Sequence, residues 1–251
     1  MNLILLSPHE IRDQRAVLTD RRAQHIRKVL RCTIGDRVRV GVVNGSLGTG
    51  LITRLDHDGV ELAITLTNPP LPPSPTDLIL AIPRPIMLKR VLAQAASMGV
   101  ARIFLVNANR VEKSFFNATL VQERAFAEPL RLGLEQAMDT KLPEVSVHPR
   151  FRPFVEDILP PLLARDKPAR LLAHPGDHPN LAASCDLPLD GPAILAIGPE
   201  GGWVDFEVEQ FIAQGFRPFT LGPRILRVDT AVPALLAQLS LLRQLPPGTR
   251  V

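Results

Sequence analysis

The sequence predicts an α/β protein in which a small basic β-barrel domain precedes a larger, mostly parallel α/β domain. Strand patterns dominate the first part of the chain, a proline-rich segment follows near residue 70, and strands then alternate with helices. Such alternation is typical of a parallel sheet that is covered by helices on both faces. We therefore predict a first domain at residues 1–70 and a second at residues 71–251.

The first domain combines one short helix with several strands. The segment 19–31 favours a helix that Thr19 or Asp20 caps, and Ile26, Val29 and Leu30 share one apolar face. Alternating patterns, separated by the turn signals Asn44-Gly45 and Asp58-Gly59, predict strands. These strands are Arg37–Val43, Leu47–Leu55 and Val60–Thr67.

Positive charge is concentrated at this end of the chain. Residues 1–40 carry nine Lys or Arg against four acids, although the whole chain has a net charge of only +4. This concentration of positive charge indicates binding to a polyanion such as RNA. The alternative is that these cations only form a solvated helix face. The candidate RNA-binding residues lie on or beside the predicted helix: Arg21, Arg22, His25, Arg27, Lys28 and Arg31.

The segment from Asn68 to Thr76 contains five prolines and predicts a stiff linker, because proline is excluded from helix interiors and central strands. Beyond it, continuous apolar runs predict buried strands and amphipathic runs predict helices. The predicted strands are Asp77–Ile82, Arg102–Asn107, Glu144–His148, Arg170–Ala173, Ala193–Ile197 and Phe216–Leu221. The predicted helices are Ile86–Met98, Thr119–Met138 with a bend or break at Pro129, Asp205–Gln214, and Thr230–Leu245 with Pro233 in its first turn.

Two segments at predicted strand-to-helix junctions are candidates for ligand binding. The first, Gly198-Pro199-Glu200-Gly201-Gly202, follows a buried strand, and its glycines would let the backbone approach a ligand closely. The second runs from Thr220 to Thr230 and brings two arginines and an acid to the same kind of junction. Neither is a Walker A loop or a GxGxxG motif, and a tight turn with a capping Asp is the alternative interpretation.

Other function classes find little support in the sequence. The two cysteines are far apart. Only His174 and His178 have a spacing that suits a metal site, and Pro175-Gly176 between them argues against a helix there, so we predict neither a disulfide framework nor a bound metal. The N-terminal segment lacks a basic head and a long apolar run, and no stretch is long enough to cross a membrane. We therefore expect a cytoplasmic protein.

Taken together, three motifs resemble the bacterial 16S ribosomal RNA uridine N3-methyltransferases of the SPOUT class. They are His25-Ile26-Arg27-Lys28-Val29-Leu30-Arg31, Ile197-Gly198-Pro199-Glu200-Gly201-Gly202-Trp203 and Leu221-Gly222-Pro223-Arg224-Ile225-Leu226-Arg227. The resemblance also includes Met98-Gly99-Val100 and Glu135-Gln136 ahead of Leu142-Pro143-Glu144, and so extends over nearly the whole chain.

That resemblance implies a PUA-like barrel in front of a SPOUT-type, trefoil-knotted α/β domain, a homodimer, and S-adenosylmethionine as the cofactor. It implies methylation of uridine N3 near the decoding region of 16S ribosomal RNA, in free RNA or in the small ribosomal subunit. The implied cofactor-binding residues lie on three loops: Leu172, Ala173 and His174; Gly198, Pro199, Glu200, Gly201 and Gly202; Leu221, Gly222, Ile225 and Leu226.

Uridine N3 must lose its proton to become a good nucleophile, which needs a cation near the uracil oxygens and a proton acceptor. Arg227 and Asp229 are the candidate catalytic residues. The chain departs from the family pattern at Met138-Asp139, where a Gly-Arg pair is usual, and at Val228-Asp229-Thr230-Ala231, where Thr-Glu-Thr-Ala is common. Two alternatives stay open: a SPOUT methyltransferase for another RNA such as transfer RNA, and a non-catalytic RNA-binding or ribosome-assembly factor.

Overall fold

The computed structural model describes residues 1–72, 74–116, 126–187 and 189–246. Contacts divide the chain into two compact units. The first unit comprises Met1–Pro73 and Leu130–Leu142, and the second comprises Ser74–Pro129 and Pro143–Val251. The division from sequence placed residues 130–142 in the second domain, whereas their contacts group them with the first unit.

The first unit contains a mixed five-stranded sheet among its described residues, in the order β1-β3-β4-β5-β2. Its elements are β1 (Ile4–Leu6), β2 (Arg15–Leu18), α1 (Arg21–Lys28), β3 (Arg37–Val42), β4 (Leu47–Leu55) and β5 (Val60–Asn68). The apolar side chains of alternate positions, such as Val40, Ile52 and Leu62, form a buried core with Ile26 of α1. The strands β1 and β2 have no counterpart in the sequence prediction, because both are too short to show a clear alternation.

The helix α1 is shorter than predicted. Asp20 caps it, since its side chain accepts a hydrogen bond from the backbone N–H of Arg22. The predicted apolar face is wrong in its second half: Ile26 is buried, but Val29 and Leu30 are 64% and 45% exposed. The helix ends at Lys28, so these two residues no longer follow the helical periodicity that would turn them to the core.

The segment Leu130–Leu142 joins the first unit through backbone and side-chain contacts. The carbonyl oxygen of Glu135 accepts hydrogen bonds from the backbone N–H groups of Asn2 and Leu3. The carbonyl oxygen of Thr140 accepts one from Asn44, 2.7 Å away, and the Thr140 hydroxyl donates to the carbonyl of Gly45. Gly45 and Thr140 are 95 positions apart in the chain, so no local pattern predicts this pairing.

The second unit contains a parallel sheet of six described strands, in the order β11-β9-β10-β6-β7-β8. The strands are β6 (Thr76–Ala81), β7 (Arg102–Val106), β8 (Glu144–His148), β9 (Ala169–Ala173), β10 (Ala193–Ile197) and β11 (Arg217–Phe219). The helices are α2 (Pro85–Ser97), α3 (Lys113–Phe116), α4 (Ala127–Ala137, which continues into the first unit), α5 (Phe151–Pro153), α6 (Leu159–Asp166), α7 (Asp205–Ala213) and α8 (Val228–Gln244), and a π-helical turn (Phe154–Ile158) joins α5 to α6.

Two proline-containing helices differ from their predictions. The predicted helix from Thr119 begins outside the described residues, and α4 starts at Ala127. Pro129 therefore lies in the first turn of α4, where a missing N–H costs nothing. The helix α8 begins at Val228, two residues earlier than predicted, so Pro233 lies inside it and not in its first turn. Pro233 has no N–H to donate to the carbonyl of Asp229, one turn earlier.

Among the described residues, no helix has the length and apolar character that a membrane crossing requires. The same residues contain no group of three or more His, Cys, Asp or Glu side chains arranged to hold a metal ion.

Candidate cofactor cavity and basic surface

The loops that follow β9, β10 and β11 meet at one edge of the parallel sheet. Register places Ala173 beside Ile197 and beside Phe219, so the last residues of the three strands form one row. Because all three strands are parallel, their following loops leave the sheet on the same side. These loops and the start of α8 surround a cavity of about 340 Å³.

The cavity has an apolar interior and a partly open rim. Phe219, Val228 and Leu235 form buried parts of its wall. Ile225 and Leu226 also line it, although they are 79% and 37% exposed. Apolar side chains that stand this far into solvent at the mouth of a cavity offer a surface that a ligand can cover.

Nearly all the residues predicted to bind the cofactor line this one cavity. Ala173, His174, Gly198, Pro199, Glu200, Gly202, Leu221, Gly222, Ile225 and Leu226 are all in its wall. The structure places Leu172 and Gly201 elsewhere. Leu172 is fully buried within β9, and Gly201 lies against Arg110.

His174 supplies the cavity with a polar atom that has no internal partner. Its Nδ1 is buried and makes no hydrogen bond, while its backbone N–H donates to the carbonyl of Phe219 at 3.0 Å and joins two of the loops. Burial lowers the pKa of His174, and the nearby His178 and Arg110 lower it further, against the opposing effect of Asp205. The neutral imidazole is therefore favoured near pH 7, and its Nδ1 can donate a hydrogen bond to a ligand or accept one from it, depending on the tautomer.

The candidate catalytic residues flank the cavity without lining it. Arg227 is exposed and forms the N-cap position of α8, where its carbonyl accepts hydrogen bonds from Thr230 and Ala231. Asp229 lies in the first turn of α8 and not at its cap. One of its carboxylate oxygens is 3.7 Å from Arg90 Nη1 of α2, and the other is buried without a hydrogen-bond partner. Asp229 is therefore paired with Arg90 of α2.

The basic cluster of the first unit divides into inward and outward residues. Arg22 is 7% exposed and bonds Glu10, Asp20 and the carbonyl of Leu5. Arg21 makes two hydrogen bonds to the carboxylate of Glu135, which is 1% exposed. Both are predicted RNA-binding residues; each pairs with a carboxylate of the same unit, and the side chain of Arg21 is still 38% exposed.

The other members of the cluster lie further along α1. Arg27 is half-buried and donates to the carbonyls of Asp56 and His57, and His25 is half-buried with its Nε2 unpaired. Lys28 and Arg31 are exposed, and so is Arg37 at the start of β3. Among the predicted RNA-binding residues, the exposed positive charge therefore lies at the end of α1 and just beyond it.

Sequence reasoning missed Glu207, which fixes the entrance to α7. Glu207 is 1% exposed, and its two oxygens accept hydrogen bonds from the backbone N–H groups of Val204 and Asn109. The acid three residues after Val204 is the signal that indicates the first of these bonds, since that spacing is typical of helix N-termini. The bond to Asn109 joins parts of the chain that are far apart in sequence, and no local pattern predicts it.

A parallel sheet with a ligand-sized cavity at the carboxyl ends of its strands defines an α/β protein that binds a small molecule at that edge. Comparison with known proteins narrows this class. The model of a family described as an RNA methyltransferase domain matches residues 70–240, and that of an RNA methyltransferase PUA domain matches residues 18–65. The chain belongs to this RNA methyltransferase family.

Individual relatives agree with that assignment. The ribosomal RNA small subunit methyltransferase E of Treponema pallidum is 32% identical over 94% of this chain and 90% of its own length. The protein of the same name from Synechocystis is 29% identical over 95% of this chain and 77% of its own length.

Solved structures share the fold, which confirms the predicted class of an α/β domain behind a PUA-like domain. A ribosomal RNA small subunit methyltransferase E from Neisseria gonorrhoeae, bound to S-adenosyl methionine, superposes with a TM-score of 0.76 at 24% identity. The superposition covers 96% of this chain and 98% of that one. A methyltransferase from Legionella pneumophila, in complex with the same cofactor, gives a TM-score of 0.75 at 23% identity over 96% and 97% of the two chains.

Proposed function

We propose that this protein transfers a methyl group from S-adenosylmethionine to N3 of a uridine in 16S ribosomal RNA. The cavity at the ends of β9, β10 and β11 carries the proposal, because it gathers the residues that the sequence assigned to the cofactor. The relatives named as ribosomal RNA small subunit methyltransferases support the choice of substrate.

The cavity fits the cofactor in size and chemistry. A volume of about 340 Å³ lies within the range of small-molecule sites. The apolar wall around Leu235 suits an aromatic base, and the unpaired Nδ1 of His174 suits a polar group of the ligand. Bound there, S-adenosylmethionine would supply an activated methyl group, and the protein would supply position and charge.

Arg227 and Asp229 perform the remaining chemistry in this proposal. The exposed guanidinium of Arg227 stabilises the negative charge that develops on the uracil oxygens. The half-buried carboxylate of Asp229 accepts the imide proton through a water molecule. Ile225 and Leu226, at the mouth of the cavity, exclude water from the reacting groups.

Single-turnover methylation tests these two roles. Asp229→Asn should slow the reaction by about 10²-fold or more while leaving cofactor affinity unchanged, because the amide cannot accept the proton. Arg227→Lys should also be slow, since a point charge does not reproduce a bidentate guanidinium contact.

The ion pair between Asp229 and Arg90 provides the control. If Asp229 only fastens α8 to α2, Arg90→Ala should slow methylation as much as Asp229→Asn does. If Asp229 accepts the proton, Arg90→Ala should keep a near-normal rate. Equal effects of the two variants would contradict the catalytic role.

In this proposal RNA contacts the first unit through the exposed cations at the end of α1 and the start of β3. Lys28, Arg31 and Arg37 are exposed, whereas Arg21 and Arg22 are committed to Glu135 and Glu10. Cations that point to solvent are available for phosphates, and phosphate contacts position a protein on RNA without reading its sequence.

The substrate itself is tested by mapping modified nucleosides. Mass spectrometry of ribosomal RNA from a deletion strain should show the loss of one N3-methyluridine in 16S RNA. In vitro, transfer of labelled methyl groups to free 16S RNA, small subunits and transfer RNA compares the candidate substrates. Labelling of transfer RNA alone would contradict the ribosomal substrate, and labelling of none would favour a non-catalytic RNA-binding factor.

We also propose that the enzyme is a homodimer in the cytoplasm, where ribosomal RNA is modified. The second unit exposes large apolar side chains, including Ile86, Phe206 and Leu241, that a second copy can cover. Sedimentation equilibrium measures the oligomeric state directly, and a monomer at micromolar concentration would contradict the dimer.

A further inference from the structure

Arg110 lies beside the loop that follows β10, although it belongs to the loop that follows β7. Its Nη1 donates a hydrogen bond to the carbonyl oxygen of Gly201. Its aliphatic part occupies the place where a side chain at residue 201 would be, since a Cβ built on Gly201 would lie 2.9 Å from Cδ of Arg110. A methyl group at position 201 would therefore displace the arginine.

A second contact fixes the two loops near the same point. Glu207 accepts a hydrogen bond from Asn109 N–H at 2.7 Å and another from Val204 N–H at 3.0 Å. Asn109 is the neighbour of Arg110, and Val204 comes two residues after Gly202. The buried carboxylate thus holds the backbone beside Arg110 while the guanidinium holds the turn itself.

The turn that Arg110 holds presents residues to the cavity. Gly202 N–H donates to the carbonyl of Pro199 at 2.8 Å, which closes a four-residue turn. Pro199, Glu200 and Gly202 line the cavity, whereas Gly201 points its carbonyl toward Arg110. The orientation of Gly201 therefore determines which way its neighbours face.

We propose that Arg110 is a positioning residue for the cofactor, which acts by holding the Pro199–Gly202 turn, and that residue 201 is glycine in order to admit Arg110. This inference rests on the proposed function in one respect, that S-adenosylmethionine occupies the cavity. It assigns to Gly201 a partner inside the protein in place of the close approach to a ligand that the sequence suggested.

The proposal predicts a separation of kinetic constants. Arg110→Ala should raise the KM for S-adenosylmethionine and the Kd for S-adenosylhomocysteine by about tenfold, which is the effect of about 1.4 kcal/mol. The kcat at saturating cofactor should stay within about twofold, because Arg110 does not touch the reacting atoms. Arg110→Lys should recover part of the affinity, since its ammonium can still donate to the Gly201 carbonyl.

A double-mutant cycle with Gly201→Ala tests the pairing directly. If Arg110 is the reason for glycine, Gly201→Ala alone should weaken binding of S-adenosylhomocysteine, and the double variant should bind no more weakly than Arg110→Ala. If the ligand is the reason, the two effects should add. Additive effects, or an Arg110→Ala variant with wild-type affinity, would overturn the proposal.

The chain offers matched controls and an internal probe. Arg152→Ala removes an exposed arginine that pairs with Glu156, and Gly191→Ala adds a methyl group where nothing lies within 4 Å. Neither should change affinity. Trp203 is the only tryptophan in the sequence and is 1% exposed next to the turn, so its emission reports both folding and loosening of this loop.

Three outcomes are distinguishable in calorimetric titrations with S-adenosylhomocysteine. Wild-type protein that takes up no ligand would contradict the proposed function itself. Wild-type binding with unchanged binding by Arg110→Ala would contradict only the positioning role. Weaker binding by Arg110→Ala, with Trp203 emission shifted to the red and the unfolding midpoint of the controls preserved, is the result we expect.

Discussion

Replacing Asp139 should loosen the first unit, because this carboxylate organises the chain just after α4. Asp139 is 8% exposed, and its Oδ1 accepts hydrogen bonds from the backbone N–H groups of Thr140 and Lys141, at 2.6 and 3.0 Å. Thr140 is fully buried and is bonded in turn to Asn44 and Gly45. The carboxylate therefore fixes Thr140, which bonds the segment Leu130–Leu142 to the turn between β3 and β4.

The cost follows from the two donors that would lose their acceptor. A hydrogen bond to a charged group contributes about 1.5–3 kcal/mol, and a buried donor left unpaired costs about 1–3 kcal/mol. Lys141 is only half-buried, so water can replace part of its bond. We expect Asp139→Ala to destabilise the first unit by about 2–3 kcal/mol, and Asp139→Asn, which keeps an acceptor oxygen, by less than about 1 kcal/mol.

Hydrogen exchange measured by mass spectrometry is the appropriate assay, because it reports local stability. Peptides from β1, β3 and residues 130–142 should lose protection in Asp139→Ala, while peptides from the second unit should not change. Asp58→Ala is a control, since that carboxylate is 71% exposed. Equal protection in Asp139→Ala and wild type, or equal loss in the Ala and Asn variants, would refute the reasoning.

Three further changes test other parts of the molecule. The double change Lys28→Glu and Arg31→Glu should weaken RNA binding and leave cofactor affinity unchanged. If each cation contacts one phosphate of single-stranded RNA, the slope of log K against log salt concentration should decrease in magnitude by about 1.4. An unaltered slope in filter-binding titrations would show that these cations face only water. Arg102→Met should lower the free energy of unfolding in urea by about 2–3 kcal/mol, because it leaves the buried Asp77 unpaired. Adding Asp77→Leu should restore most of that loss, and a double variant as unstable as Arg102→Met would contradict this explanation. Because the pKa of His174 is lowered in the folded protein, the unfolded chain binds the proton more readily. The contribution of His174 to the free energy of unfolding is therefore present above about pH 6.5 and is lost as the pH falls below it. Between pH 8 and 5 the wild type should lose more stability than His174→Gln, and the same dependence of stability on pH in both proteins would contradict the lowered pKa.

The cavity was largely predictable because its residues belong to short, local patterns. A buried strand that runs directly into a glycine-bearing loop, such as Ile197-Gly198, locates the carboxyl end of a strand from sequence alone. Parallel strands then bring such ends to one edge. Local periodicity does not show which of these loops bind the same ligand, and that information came from the family resemblance.

The basic surface was less predictable, because charge in a sequence does not show where a side chain points. Arg21 and Arg22 follow the cap of α1, and nothing nearby in the sequence shows that Glu135 lies against the first and Glu10 against the second. Both pairs depend on the fold of the first unit, and the first depends on a segment more than a hundred residues further on. Of the six residues predicted to bind RNA, Lys28 at the end of α1 and Arg31 just beyond it are the two that are exposed.

The Met138-Asp139 departure from the family pattern also has a structural explanation. Met138 has φ +58°, a left-handed conformation that glycine adopts without cost and that costs other residues about 1–2 kcal/mol. A glycine at the end of α4 is therefore what the backbone favours, and this chain tolerates methionine there. Asp139, in place of the usual arginine, takes an internal role as an acceptor for two backbone N–H groups.

The glycines around the cavity show why a glycine-rich loop does not by itself identify ligand contacts. Gly202 and Gly222 have φ +73° and +104°, so the backbone conformation alone selects them. A Cβ on Gly198 would lie 3.1–3.2 Å from atoms of Trp203, and one on Gly201 would displace Arg110. Gly201→Val should still abolish cofactor binding, but through the turn and not through a direct clash with the ligand. Each of these four glycines is thus required either by the backbone conformation or by a neighbouring side chain, and together they determine the shape of the cavity wall.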